Sequence, residues 1–472
     1  MAIGDIIGEI RSLDFDTTGG TSPKTFHIAG TIYGVAYQGF GNDGYVKTIP
    51  IQNDGTFGVV KSLEFDLVQG RAPWPIHISG DVYAIAYSGP GNNGLIKTLH
   101  IADNGDIDPV IIATFTFEAG GGVVEPVIVH VGGTTYAVFY GGPGNDGWLK
   151  TITINNDGTI DAVLQSLEFD TAYGLYSDPI HIAGNVWAFA YTANAMFGPG
   201  RIRTVTISDA GIIGSIASGD YDANQTSRPD IFHISGNVYG IVYGGPGNDG
   251  WLKTVTISAA GVIGAVINFL EFDIVYGTSP RAVPVGENVW AIAYTGPDND
   301  GWLRTIGIAN DGTITGQVDF HEYDTDRGSY SDIIHIYRNV YAVAYLGPGL
   351  DGWLKTIEIT TPAVAPTVTS NPATGVGLIL ANINGGLDDD GGEPCECGFE
   401  WGPTIAYGLT TQTDSKIKGE TFSQLIRGLF PGRAYYFRAF ATNSVTTAYG
   451  AGLSFHSKPS VSRAYALARE EL

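Results

Sequence analysis

Ile241-Val242-Tyr243 runs into Gly244-Gly245-Pro246-Gly247-Asn248-Asp249-Gly250 and then Trp251-Leu252-Lys253-Thr254. An apolar run ends on an aromatic ring, a connection rich in Gly, Pro and Asn follows, and an alternating segment begins. The same order reads at Val138-Phe139-Tyr140 and Gly144 to Thr151. The aromatic-ended run also stands at Val35-Ala36-Tyr37, Ile85-Ala86-Tyr87, Phe189-Ala190-Tyr191, Ile292-Ala293-Tyr294 and Val343-Ala344-Tyr345. It therefore recurs seven times, at a period of about 51 residues, and stops near residue 360.

Around Tyr243 one unit can be read outward. Ile231-Phe232-His233-Ile234 is a first strand, and Ser235-Gly236-Asn237 a tight turn of residues that accept positive φ. Val238 to Tyr243 is a second strand, Trp251 to Ile257 a third with period-2 alternation, and Val262 to Asp273 a fourth. Four short antiparallel strands per repeat are the blade of a β-propeller. The seventh unit lacks a fourth strand, because Thr361-Pro362 and Pro366 follow Ile357. The N-terminus carries an orphan one: Gly4 to Asp16 aligns without gaps to Gly261 to Asp273. The expected fold is thus all-β, a seven-bladed β-propeller over residues 1–360 closed by its N-terminal strand. Closure removes two exposed sheet edges.

Composition agrees with strands joined by tight turns: charged residues are only 15% and glycines number 67. The net charge of −24, from 48 acidic and 24 basic side chains, repels phosphate backbones and argues against nucleic acid as a partner. No run reaches the length of a membrane span, so membrane insertion is not expected. The start, Met1-Ala2-Ile3-Gly4-Asp5-Ile6-Ile7, lacks the basic and apolar regions of a classical secretion signal. Either the protein stays inside the cell or it leaves by lysis or assembly. Cys395 and Cys397 are two residues apart, a strained spacing for a disulfide, and read as free thiols or an unusual local bridge.

The first 360 residues resemble seven-bladed propeller repeat proteins in architecture, without the WD dipeptide, the kelch double glycine or a full sialidase Asp-box. Leu429-Phe430-Pro431-Gly432-Arg433-Ala434-Tyr435-Tyr436-Phe437-Arg438-Ala439-Phe440-Ala441-Thr442-Asn443 resembles the signature of fibronectin type III domains. That resemblance covers residues 364–457 and implies a small β-sandwich at 361–458, with Tyr435 as a tyrosine corner and Trp401 between the sheets. It also implies a spacer or docking module and an extracellular, adhesive or virion setting. Residues 459–472 form a C-terminal tail, with helical periodicity from Ser462 to Leu472.

What recurs in every repeat is explained by the fold, and what varies is the better candidate for recognition. Histidine precedes Ile at His27, His77, His181, His233 and His335, with His130 slightly shifted. These read as structural imidazoles before they read as metal ligands. Asp43, Asp146, Asp249 and Asp300, with Asp351 as a variant, are candidate calcium ligands in the Asn-Asp-Gly turns. The same tripeptide is what a hairpin demands. Trp148, Trp251, Trp302 and Trp353 read as caps on the core between blades rather than sugar platforms. The lysines and arginines two residues on read as exposed partners of the Leu-Glu-Phe-Asp acids, of little energetic weight.

The connections from fourth to first strand vary most, and in a propeller they share a face with the long second-to-third connections. They carry Arg71, Trp74, Tyr173, Tyr176, Arg228, Tyr276, Arg281, Arg327 and Tyr330, a set of aromatics and arginines typical of binding surfaces. In the fourth unit Thr192 to Gly200 replaces the usual turn and puts Met196 and Phe197 outside. No Ser-His-Asp constellation or Gly-x-Ser-x-Gly stands out. The sequence therefore points to a non-catalytic recognition or structural protein. It would be a virion tail, fibre or decoration component, or a cell-surface component, binding protein partners or surface glycans, with homo-oligomers or larger assemblies expected. A lectin-like adhesin is the near competitor. A propeller glycosidase or lyase would need singular acids or an Arg cluster at the channel mouth.

Overall fold

In the computed structural model, residues 2–195 and 197–460 are described. The chain divides into two compact units, Met1–Thr360 and Thr361–Leu472. The sequence expectations for Met196 and for the helical tail lie outside the described residues, while Phe197 is exposed as expected.

The first unit consists, among the described residues, of seven four-stranded antiparallel sheets. Six are built from consecutive strands. In the fifth these are Ser227–Ser235, Val238–Gly244, Gly250–Ile257 and Ile263–Asp273. The seventh takes Ser329–Tyr337, Val340–Leu346 and Gly352–Ile359, and its fourth strand is the N-terminal Ile6–Asp16. Leu13 pairs with Leu354 and Asp14 with Trp353 in that register. The first strands pack each on the next, and the first strand of the seventh sheet packs on that of the first sheet. The second strands are buried on both faces, from Val82 to Ser88 and from Val289 to Thr295, which explains their continuous apolar runs.

Three sets of bonds between sheets account for most of what repeats. A buried threonine of each third strand donates to a turn glycine carbonyl of the following sheet, at 2.6–2.8 Å. The pairs are Thr48 to Gly105, Thr98 to Gly158, Thr151 to Gly211, Thr204 to Gly261, Thr254 to Gly312, Thr305 to Gly4 and Thr356 to Gly55. In a second set, a buried tyrosine hydroxyl donates to the acid that ends the preceding sheet, as Tyr87 does to Asp66 (2.7 Å) and Tyr243 to Asp222 (2.6 Å). The basic residue of the third strand joins the same acid, as Lys97 does with Asp66 at 2.9 Å.

These pairs were expected to be exposed and weak. They are not: the Lys97 and Asp66 side chains are 15% and 8% exposed. The difference arises because the partner lies in the neighbouring sheet, so the pair is closed over by the junction. Asp66 Oδ1 also accepts from the amides of Val68 and Gln69, which shapes the connection to the next sheet. In a third set, the Asn carbonyl of the Asn-Asp-Gly turn takes an amide of that following connection: Gly70 to Asn42 at 2.7 Å and Gly277 to Asn248 at 2.7 Å. The asparagine there has positive φ (Asn42 78°, Asn248 70°), a conformation that asparagine tolerates.

The second unit has a three-stranded sheet (Thr367–Thr374, Leu380–Asp389, Thr421–Arg427) and a second sheet centred on Cys395–Gly402 and Ala434–Thr442. Its core holds Phe399, Phe437, Leu387 and Ile383. The Tyr435 hydroxyl accepts the Phe430 amide at 2.8 Å, as a tyrosine corner does. Trp401 packs against that core, and the Cys395 and Cys397 side chains are buried in it.

Candidate functional site: a ring of bulges and its cavity

Each first strand of the seven sheets breaks register near its start. The breaks lie between Thr21 and Lys24, Arg71 and Trp74, Val124 and Val127, Leu175 and Asp178, Ser227 and Asp230, Thr278 and Arg281, and Ser329 and Asp332. At every break one non-glycine residue has positive φ: Ser22, Ala72, Glu125, Tyr176, Arg228, Ser279 and Tyr330, from 42° to 58°. Such a conformation costs an L-residue on the order of 1–3 kcal/mol and persists only where the surroundings impose it. A β-bulge re-aims side chains. Here it does so seven times, at equivalent positions.

Three residues per sheet form this zone, and they are what differs between sheets: Ser22-Pro23-Lys24, Ala72-Pro73-Trp74, Glu125-Pro126-Val127, Tyr176-Ser177-Asp178, Arg228-Pro229-Asp230, Ser279-Pro280-Arg281 and Tyr330-Ser331-Asp332. All of them but Asp230 and Pro280 line one cavity of 70 Å³. Its charges cross between sheets. Arg281 stands 3.2 Å from Asp230 and 4.0 Å from Asp178, and Lys24 lies 2.6 Å from Asp332. Arg228 pairs with Glu125 and lies between the rings of Tyr176 and Tyr330, 4.7 and 5.0 Å from their centroids. Lys24 sits 4.2 Å over Trp74. Three acids also tie neighbouring sheets through backbone amides: Asp178 to Ile231 (2.8 Å), Asp230 to Ala282 (2.8 Å) and Asp332 to Thr25 (2.7 Å).

Three cations thus face four carboxylates. Burial, reinforced by the neighbouring Asp230 charge and only partly offset by Arg281, pushes the Asp178 carboxyl up to about 7. Burial works against the Arg281 charge, but Asp230 and Asp178 outweigh it and hold the guanidinium protonated. The Ser177 hydroxyl, 2% exposed and lining the cavity, has no hydrogen-bond partner among the described residues.

Of the residues singled out in the sequence, Trp74, Tyr176, Arg228, Arg281 and Tyr330 meet in this cavity. Arg71, Tyr173, Tyr276 and Arg327 do not line it. Tyr173, Tyr276 and Arg327 sit on the connection that follows the acid ending each sheet, their amides donating to Asp170, Asp273 and Asp324, and the exposed Arg71, which opens the first strand of the second sheet, reaches Asn42 at 3.1 Å. Lys24, Glu125, Ser177, Asp178 and Asp332 were missed. Aligning the seven repeats at this triplet would have shown its first and third positions changing from unit to unit.

The histidines fill the structural role. The Nε2 of His27, His77, His130, His181, His233 and His335 donates to the carbonyl three residues on, at 2.7–3.0 Å, and closes the first hairpin. Trp148, Trp251, Trp302 and Trp353 cover the glycine that opens the turn, where any Cβ would lie 2.2–2.4 Å from the indole. The candidate calcium residues Asp43, Asp146, Asp249 and Asp300 end short 3-10 turns. Burial and a hydrogen bond with Glu322 push Asp300 up to about 6. Among the described residues no group of three or more acidic, histidine or cysteine side chains is placed to hold a metal.

No family model matches the chain, and no curated protein does. Solved structures do. The WD40 domain of Toxoplasma gondii coronin superposes with a TM-score of 0.52 at 11% identity, over 76% of this chain and 89% of that one. A candidate 6-phosphogluconolactonase from Bacteroides uniformis gives 0.49 at 11% identity, over 87% and 98%. Sqt1 of Saccharomyces cerevisiae gives 0.43 at 10% identity, over 82% and 96%. At 11% identity the likeness to the coronin domain shows the fold alone: the first unit is an all-β, propeller-like array of four-stranded sheets. No helix among the described residues is long and apolar enough to cross a membrane.

Proposed function

We propose that the first unit is a closed seven-bladed β-propeller, the second a fibronectin type III-like sandwich, and the whole a non-catalytic recognition protein. The ring of bonds from Thr305 to Gly4 and from Thr356 to Gly55 supports closure. The tyrosine corner at Tyr435 supports the sandwich. Recognition rests on one observation: the triplets at the seven bulges differ from sheet to sheet, and they converge on one cavity. The ring is the frame, and its mouth is the selective surface. A virion or cell-surface setting, with a protein or glycan partner, carries over from the sequence as part of this reading.

The test is attachment of the full chain to intact cells and to a glycan array, compared with a Trp74→Ala/Tyr330→Ala variant of unchanged melting temperature. Loss of attachment supports recognition at the mouth. Attachment equal to wild type would place it elsewhere.

A second reading draws on Asp178. A buried carboxyl raised to about 7, with a second carboxyl and Arg281 beside it, is the kind of group that general acid–base catalysis uses. It would make the unit a glycosidase or lyase. Turnover of aryl glycosides abolished by Asp178→Asn would favour that reading over the binding one.

A further inference from the structure

The chemistry of the cavity narrows what it would take, and this step rests on the recognition reading above. Lys24, Arg228 and Arg281 are each committed to a carboxylate of the protein. An anionic ligand would find no unclaimed cation. A cationic ligand would find one surplus acid, Asp178, with Arg281 already 4.0 Å away. What stays open is neutral: the Ser177 hydroxyl without a partner, the spare lone pairs of Asp178 and Asp332, and apolar walls from Trp74, Val127 and Pro126. The 70 Å³ of the cavity is several times the ~10–15 Å³ that admitting a single water requires, so there is room for a small polar ligand.

We infer that this cavity binds the terminal ring of a neutral, hydroxyl-bearing sugar. Its apolar face lies against Trp74, and its hydroxyls engage Ser177 and the carboxyl oxygens of Asp178 and Asp332. The positive-φ residues around the rim hold these groups in place before the ligand arrives, so little ordering remains to be done on binding.

The experiment is calorimetric titration of the full chain with methyl glycosides of glucose, galactose, mannose and fucose, with N-acetylneuraminic acid and glucosamine as charged comparators. At least one neutral glycoside should bind saturably, more tightly than either charged sugar. Trp74→Ala should weaken it at least about tenfold, as loss of a buried aromatic anchor does. Ser177→Ala, a smaller change, should weaken it measurably with the melting temperature retained, and covers the case in which Trp74→Ala fails to fold. Absence of binding by every neutral glycoside, preference for a charged sugar, or wild-type affinity in both variants would overturn the inference. If cell attachment still depends on Trp74 and Tyr330 while no neutral sugar binds, the recognition reading stands without it. If neither holds, both fall.

Discussion

The hydroxyl of Thr305 donates to the carbonyl of Gly4 at 2.7 Å, across 301 positions of sequence. Six equivalent threonine–glycine bonds join the other sheets, so the N-terminal segment occupies a place that an internal turn fills elsewhere. Gly4 itself has φ of 92°, and a Cβ there would lie 2.8 Å from the Val289 side chain. Only glycine fits the position without displacing its neighbour.

Removing residues 1–16 deletes the Gly4 carbonyl, the outer strand of the seventh sheet and the Asp16 latch. Differential scanning calorimetry should show a melting temperature lower by many degrees. Thr305→Ala, which leaves one buried carbonyl unpaired, should cost about 1–3 kcal/mol. An unchanged melting temperature in the deletion would mean the N-terminal strand closes nothing.

Asp16 gives a pH signature. Burial acts to raise its carboxyl, but hydrogen bonds from Tyr37, Thr18 and Lys47 prevail and hold it down to about 2. A lowered carboxylate contributes stability above its unfolded value near 3.9 and loses it as pH falls through about 2. Asp16→Asn should therefore cost about 2 kcal/mol at pH 7, with the difference shrinking between about pH 4 and pH 2. Urea unfolding across that range measures it.

Asp178 should behave with the opposite sign. Its carboxyl is raised to about 7, so the folded state holds the proton longer than the unfolded one, and stability falls as pH rises from about 4 to about 7. Asp230, Arg281 and Lys24 are the charges that act on it. Asp178→Asn should flatten this slope, gaining relative to wild type at pH 8 and little at pH 4. A variant less stable than wild type at pH 8 by the same margin as at pH 4 would show that Asp178 is not held protonated.

The histidine turns predict insensitivity to metal. His77→Asn should lower stability by about 0.5–1.5 kcal/mol through loss of the 2.8 Å bond to Gly80, and chelator should change neither protein's melting temperature. A fall on chelation in wild type alone would restore the imidazoles as ligands.

The architecture was legible because the residues that build it repeat. Tyr243 and Lys253 recur in register with Asp222, and the match of Gly4–Asp16 to Gly261–Asp273 pointed to the missing strand. The energetic weight of those residues was not legible. Lys97 and Asp66 read as a surface pair, and only the packing of one sheet on the next reveals their burial. The site was half legible for the same reason. Trp74, Tyr176, Arg228, Arg281 and Tyr330 stand out by residue type, whereas Asp178 and Ser177 matter because a bulge at Tyr176 aims them at the cavity. Tyrosine carries no sequence signal for positive φ, as glycine would. Arg71 and Arg327 drew notice by the same residue type, yet do not line the cavity.

Hydrogen exchange at the backbone amides of residues 6–16 tests the closed ring most directly. Paired with Gly352–Ile359 and held at Gly4 and Asp16, these amides should exchange as slowly as those of Ile263–Asp273, through opening of the whole unit. Exchange at the rate of a frayed terminus, while Ile263–Asp273 stays protected, would contradict closure.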